Sequence, residues 1–333
     1  MNNNANYIKL SNLSIGYKNR HRVNCVASGI NATIHGGELT CLIGPNGAGK
    51  STLMRTLAGF LPKIEGSVSI AGKDLGEYSI RELSHTVGIV LTEKPDTGKM
   101  TVAELVMLGR SPYTGFWGIG SAEDRKVAER AMAAVGITAL AGRRVTTLSD
   151  GERQKTMVAK ALAQETPIIL LDEPTAFLDF PSKVETMGML RNISRTMGKV
   201  VFMSTHDLDL ALQAADTLWL MKKGIQPVIG SPEDLAIDGS LASFFGRDSM
   251  EFDTTTGLFN MKHNIKADIT VNGTSGQRLD MLCKALRRNG LNAVSSTHSS
   301  YAVTVGESQF TVSHGTTETS VSTIAEVIRL INS

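Results

Sequence analysis

Three stretches of this chain carry side chains that could do chemistry together. The first is Gly44-Pro45-Asn46-Gly47-Ala48-Gly49-Lys50-Ser51, with Thr52 next in line. Its spacing is GxxxxGK[ST]. An apolar run, Leu39 to Ile43, leads in, and a helical stretch from Lys50 to Ala58 leads out. Glycines let a backbone curl so that successive N–H groups point inward and cradle phosphates. The helix N-terminus adds partial positive charge at the same place. In such a loop Lys50 reaches the β- and γ-phosphates of a nucleotide, and the Ser51 hydroxyl ligates Mg²⁺. The second stretch, Ile168-Ile169-Leu170-Leu171-Asp172-Glu173, is an apolar strand ending in two carboxylates. Beside a phosphate loop, Asp172 is suited to hold the Mg²⁺ shell, and Glu173 to polarise an attacking water as a general base. The third, Ser204-Thr205-His206-Asp207, follows the apolar run Val200-Val201-Phe202-Met203. His206 could hydrogen-bond a γ-phosphate and help hold Glu173 and the water. The chemistry these groups would share is transfer of a terminal phosphoryl group to water.

The elements that must position them are legible in the hydrophobic pattern. Ile8, Leu10, Leu13 and Ile15 alternate with polar neighbours over residues 7–15 and read as strand, as do Val68 and Ile70. The unbroken apolar runs at 168–171 and 200–203 suit strands buried on both faces of a mostly parallel sheet. Ser121 and Asp124 open a helical stretch that Gly136 ends, and the region from about 93 to 165 reads as mainly helical. The tail differs. Ile269 and Val271, then Tyr301, Val303 and Val305, then Phe310 and Val312 alternate as strands do. Leu279, Leu282, Cys283 and Leu286 follow helical spacing to a stop at Asn289-Gly290, and Ile324, Val327, Ile328 and Ile331 repeat it. The expected organisation is a nucleotide-binding domain over 1–250, a linker over 251–263 and a small α+β domain over 264–333.

Bulk properties narrow the function further. A length of 333 residues suits about two domains. A net charge of +2 argues against a large nucleic-acid surface. Three scattered cysteines suggest a reducing compartment and no disulfide framework. The histidines form no HxxxH or HxH pair, so no metal cage of protein ligands is expected. No apolar run approaches the ~18 residues that span a bilayer. Met1-Asn2-Asn3-Asn4 lacks a basic region followed by an apolar core, so no signal peptide is expected there. If the protein works at a membrane, another chain is expected to cross it.

Leu148-Ser149-Asp150-Gly151-Glu152-Arg153-Gln154 lies just upstream of the carboxylate strand and begins a helical stretch. With it, the motif order resembles that of the ATP-binding subunit of an ABC transporter over about residues 5–250. Residues 148–152 resemble the LSGGQ signature, Phe177-Leu178-Asp179 the D-loop, and Ser204 to Asp207 the switch-histidine segment. The resemblance implies a P-loop α/β fold with a mostly parallel core sheet, N-terminal antiparallel strands and a helical signature subdomain. It implies that Tyr17 stacks on adenine, and that Ser149, Gly151 and Glu152 face the ATP of a partner subunit. A head-to-tail pair of copies with two ATP molecules between them follows, with Asp179 in the D-loop. Thr101 to Tyr113 contains Gly109-Arg110-Ser111-Pro112-Tyr113, which resembles the GRxPY segment of ATPases that drive bacterial uptake of iron–siderophores, haem or cobalamin. In those importers this neighbourhood receives a coupling helix of the permease. Gly109 and Pro112 would shape a turn, and Tyr113 would offer an amphipathic contact. The implied partners are a second copy, an integral membrane permease and, indirectly, an extracytoplasmic solute-binding protein. No nucleic acid is expected, and the place of work is the cytoplasmic face of the cell membrane.

The chain departs from that family at two points. Where the family has a Mg²⁺-contacting glutamine after the strand Val87 to Leu91, this chain has Thr92-Glu93-Lys94. Thr92 offers a weaker oxygen ligand and Glu93 a stronger anionic one, and the sequence does not choose between them. Asp150 replaces a signature glycine, so its carboxylate would repel phosphate unless it points to solvent or caps the helix. A soluble ABC-type ATPase of translation or DNA repair is the alternative reading; such chains often carry two cassettes or a long coiled-coil insertion, and neither is visible here. A regulatory nucleotide sensor is a third, favoured by the missing glutamine.

Overall fold

The computed structural model describes residues 7–19, 22–92, 97–115, 119–246, 250–253, 256–295 and 299–332. Met1 to Asn4, Glu93 and Lys94 lie outside them. The chain divides into two compact units, Met1–Phe244 with Thr254–Leu258, and Phe245–Asp253 with Phe259–Ser333.

In the first unit, β1 (Tyr7–Asn19) and β2 (Arg22–His35) pair antiparallel. Ile8, Leu10, Leu13 and Ile15 are buried. A register shift around Asn12, at φ +48, returns Leu13 to the inner face three residues after Leu10. β1 runs past the alternation of residues 7–15 and so carries Tyr17. The apolar pattern does not announce β2, because half of it faces solvent and its partner β1 fixes it. β3 (Leu39–Ile43), buried at all five positions, precedes α1 (Lys50–Leu57). β4 (Glu65–Ile70) and β5 (Lys73–Asp74) complete an antiparallel sheet of order β2-β1-β4-β5. α2 (Ile80–Ser84) opens on a Ser79/Glu82 capping box and leads to β6 (Val87–Val90).

Three helices follow, each started by the same reciprocal cap, which satisfies two orphan N–H groups at once. They are α3 (Val102–Met107) with Thr101/Glu104, α4 (Ala122–Ala134) with Ser121/Asp124, and α5 (Asp150–Ala163) with Ser149/Glu152. Gly136, at φ +73, lies two residues beyond the end of α4. β7 (Ile168–Asp172), α6 (Phe180–Met197), β8 (Val200–Thr205), α7 (Leu208–Ala214) and β9 (Thr217–Leu220) alternate next. β10 (Val228–Gly230), α8 (Pro232–Ile237) and α9 (Ser240–Phe245) close this part. The central sheet has the order β10-β9-β3-β8-β7-β6. Every pairing from β9 to β6 is parallel, and β10 lies antiparallel on the edge. Its core includes an edge-to-face contact of Phe202 and Trp219 at 5.2 Å.

Arg110 is buried and locks the helices together. Its guanidinium donates to Asp124 Oδ1 at 2.9 Å, to Glu165 Oε2 at 2.7 Å and to the Ala163 carbonyl at 2.7 Å. Tyr113 lies over it at 3.8 Å and donates to the Gln164 carbonyl at 3.0 Å. Gly109 sits where a Cβ would collide with the Lys160 carbonyl of α5, so the close approach of the Leu108–Arg110 turn needs glycine there.

The second unit begins with β11 (Met250–Asp253) and β12 (Leu258–Met261), which form a two-stranded sheet. These strands occupy the stretch 251–263 that reads as linker in the sequence. Phe259 lies 4.9 Å from Phe252 and 5.3 Å from Phe245, and this aromatic contact gives the short pair its apolar side. β13 (Ala267–Asn272), α10 (Gln277–Arg288), β14 (Leu291–Val294), β15 (Tyr301–Val305), β16 (Phe310–His314), β17 (Thr317–Val321) and α11 (Ile324–Asn332) follow. The sheet order is β14-β13-β15-β16-β17, and Leu282, Leu286, Val303, Phe310 and Val327 are buried in a core of its own. β17 is an edge strand with four exposed residues out of five, so no apolar alternation marks it in the sequence.

The Arg110 lock sets a stability prediction. Hydrogen bonds from Ser121 and Arg110 hold the Asp124 carboxyl down to about 2, from 3.8. Its contribution is therefore complete above pH ~4 and is lost as pH falls toward 2. Asp124→Asn should lower unfolding free energy at pH 7 by about 2 kcal/mol, measured by urea denaturation, with a gap that narrows below pH 4.

Candidate active site

Parallel strands bury their sides and expose their ends, so chemistry collects at the carboxyl edge of the sheet. β3 runs between β8 and β9 in parallel register and delivers Gly44 to that edge. A Cβ at Gly44 would collide with the Met221 carbonyl, which explains the first glycine. Gly47 and Gly49 take φ +79 and +104, and Gly49 caps α1 with no side-chain acceptor, leaving the first-turn N–H groups to the loop. Pro45, Asn46 and Gly47 are exposed, Ala48 is buried, and Ser51 is exposed at the start of α1.

Lys50 is buried and folds back over the loop. Its ammonium donates to the Gly44 carbonyl at 2.8 Å, and the Pro45 carbonyl lies at 3.4 Å. Burial lowers its pKa, and the Glu173 and Asp172 carboxylates oppose that shift. Tyr17, 44% exposed, places its hydroxyl 3.3 Å from Thr52 Oγ1, so its ring stands beside the loop's helix.

At the end of β7, Asp172 is buried. Glu173 follows at φ +52, in the left-handed region that costs a non-glycine residue about 1–2 kcal/mol. His206 Nε2 lies 2.6 Å from Glu173 Oε1 and 3.4 Å from Lys50 Nζ. Thr92 donates its hydroxyl to the Asp172 carbonyl at 2.7 Å. Sequence reasoning passed over Ser204. Its hydroxyl donates to Asp172 Oδ1 at 2.6 Å and accepts the Glu173 N–H at 2.9 Å. The signal that could have found it is a hydroxyl at the last buried positions of an otherwise apolar strand. Asp207 is held in turn by Lys183 at 3.1 Å and by the Thr175 hydroxyl at 3.2 Å.

Ser149, Gly151, Glu152 and Asp179 form a second group. Ser149 caps α5, accepting from the Glu152 N–H while Glu152 accepts from the Ser149 N–H at 2.8 Å. That bond, with Arg143 at 3.1 Å, holds the Glu152 carboxyl below the usual range. Asp179 caps α6 by accepting from the Ser182 N–H at 3.0 Å. Gly151 faces Ser182 closely enough that a Cβ would stand 3.1 Å from its hydroxyl. Asp150 lies in the first turn of α5 and pairs with Arg153 at 2.9 Å.

No described helix is long and apolar enough to cross a membrane. Among the described residues no cluster of three His, Cys, Asp or Glu could hold a metal on its own.

The ABC transporter family pattern matches residues 27–176. An uncharacterized ABC transporter ATP-binding protein of Methanocaldococcus jannaschii is 37% identical over 257 residues, covering 77% of this chain and 87% of the relative. The ferric enterobactin transport ATP-binding protein of Escherichia coli is 35% identical over 228 residues, covering 68% of this chain and 84% of the relative. Among solved structures, a bacterial ABC transporter cassette in dimeric form superposes with a TM-score of 0.57 at 28% identity, covering 67% of this chain and 98% of that one.

The loop geometry makes the first glycine a sharp test. Gly44→Ala forces Met221 or the loop to move, and nucleotide affinity should fall at least about 10-fold by fluorescent-nucleotide titration.

Proposed function

This chain belongs to the ABC transporter family as an ATP-binding cassette, and on that premise we propose that it powers import of an iron–siderophore, haem or cobalamin through a membrane permease. The family hydrolyses ATP, and the observation that carries the assignment of roles is the Glu173–His206 contact of 2.6 Å beside Lys50. Lys50 exchanges its loop carbonyls for the β- and γ-phosphates. Glu173 holds a water in line with the γ-phosphorus and takes its proton as the water oxygen attacks. The bond to the bridging oxygen breaks, leaving ADP and phosphate. His206 holds the Glu173 carboxylate and reaches the γ-phosphate. Tyr17 stacks on adenine.

The oxygens of Ser51, Asp172 and Thr92 are hard donors, a set that fits Mg²⁺, which keeps waters and substrate phosphates in its shell. The Ser204 hydroxyl donates to one Asp172 side-chain oxygen and the Thr92 hydroxyl donates to the Asp172 carbonyl, so Asp172 and Thr92 each retain an acceptor. Bound there, the ion would neutralise phosphate charge that develops during transfer.

Two copies work head to tail, each offering Ser149 and Gly151 to the ATP of the other. ATP binds the closed pair better than the open one, and that differential affinity biases the permease. The Leu108–Arg110 turn and Tyr113 lie at the docking neighbourhood of the permease, which is why the cassette sits peripherally on the cytoplasmic face of the membrane. The solute-binding protein meets the permease rather than this chain. The soluble translation or repair ATPase is not favoured, since both curated relatives reported above are transporter ATP-binding proteins. Residues 264–333 are accessory in this reading.

Glu173→Gln should bind ATP normally, hydrolyse it at least about 100-fold more slowly and accumulate as an ATP-bound pair on size-exclusion chromatography. Hydrolysis at the parental rate removes Glu173 as the base. Removal of residues 264–333 should leave basal ATPase within about twofold. Affinity purification from gently solubilised membranes should recover a polytopic permease; recovery with ribosomes or repair proteins instead would overturn the transport reading.

A further inference from the structure

We propose that Ser204 is a positioning residue for ATP hydrolysis, one hydroxyl that fixes Asp172 and Glu173 together. The inference rests on the hydrolysis reading above. Asp172 and Ser204 are register partners in the parallel pairing of β7 with β8, so the contact is set by the sheet itself. Ser204 is fully buried. A carboxylate accepts and cannot donate, so the hydroxyl proton must point at Asp172 Oδ1, 2.6 Å away. That orientation turns a lone pair of the same oxygen toward the Glu173 N–H at 2.9 Å.

Both bonds bear on geometry that chemistry needs. The first fixes one oxygen of Asp172 and hence the direction of the other. The second anchors a residue at φ +52, where a side chain is disfavoured and an external hold is needed. The carboxylate of Glu173 is gripped 2.6 Å from His206 Nε2, two residues beyond Ser204. The segment 204–206 therefore holds Glu173 at both its main chain and its side chain. Without the hydroxyl, Asp172 Oδ1 and the Glu173 N–H lose this partner, and Glu173 keeps its carboxylate contact with His206 and the bond from the Ala176 N–H to its carbonyl.

The test uses the full chain and three substitutions. Ser204→Ala removes the oxygen and adds no bulk, Ser204→Cys fills the site with a weak donor, and Ser204→Thr keeps the hydroxyl on a strand-compatible side chain. Ser204→Ala and Ser204→Cys should lose about 10- to 100-fold in kcat while KM for ATP changes less than about threefold, and Ser204→Thr should recover most of the rate. Mn²⁺ affinity in the presence of ADP, read by electron paramagnetic resonance, should fall at least about threefold in Ser204→Ala. Thermal melting checks that each variant is folded. A Ser204→Ala chain with parental kcat overturns the proposal. So does loss of nucleotide affinity and folded structure together without rescue by Ser204→Thr. If the parent itself fails to hydrolyse ATP, or Glu173→Gln hydrolyses it normally, the hydrolysis reading falls and takes this inference with it; parental activity with an unchanged Ser204→Ala removes the inference alone.

Discussion

The parallel register of β8 between β3 and β7 is the constraint on which the site depends. All five residues of β3, all five of β7 and all six of β8 are buried. Strands buried on both faces cannot slide by one residue without sending apolar side chains into the wrong contacts. Their carboxyl ends are therefore fixed relative to one another. Ile43 pairs with Thr205, and Asp172 with Ser204. The phosphate loop, the two carboxylates and the histidine each leave the sheet from a neighbouring strand end, so three segments far apart in the sequence arrive together without any loop having to search for its partner.

That edge concentrates charges that would be costly elsewhere. A buried ammonium loses hydration, and it is stable when other dipoles and charges replace water. Lys50 has the Gly44 and Pro45 carbonyls, with Asp172 and Glu173 nearby as the opposing charges. In the proposed reading, a polyphosphate arriving at the loop would replace weak carbonyl partners with strong ones, on a lysine already in place. The glycines serve the same end: Gly44 admits the Met221 carbonyl and Gly49 turns the chain into α1 without an acceptor that would compete with phosphate.

Most of the nucleotide edge was legible because its signals are local. The loop spacing, the apolar run ending at Asp172-Glu173 and the run before His206 each carry a motif within one strand and its turn. The Ser121/Asp124 start of α4 was equally local. What escaped reading depends on partners distant in sequence. β2 is held by β1, and β17 by β16, so neither needs an apolar alternation of its own. The β11–β12 pair hides in a polar stretch where three phenylalanines supply the apolar contact. Ser204 looks like an ordinary strand-end residue until β7 is laid beside it. Arg110 reads as part of a turn motif, and its partners Asp124 and Glu165 are 14 and 55 residues away.

The two departures from the family pattern have different physics. Thr92 is short, and its bond to the Asp172 carbonyl ties the residue two past the end of β6 to the last residue of β7. Asp150 is a matter of charge. A carboxylate in the first turn of α5 favours the helix, whose N-terminus is positive, yet opposes any anion that docks there. Arg153 pairs with it at 2.9 Å and also donates to the Leu148 carbonyl at 3.2 Å, while Arg143 pairs with Glu152 at 3.1 Å. Two guanidiniums thus offset two carboxylates. Asp150 is 45% exposed, where solvent weakens what repulsion remains. The helix gains its acidic first turn, and in the proposed head-to-tail pair the backbone N–H groups at Gly151 would keep a field for a phosphate of the second cassette.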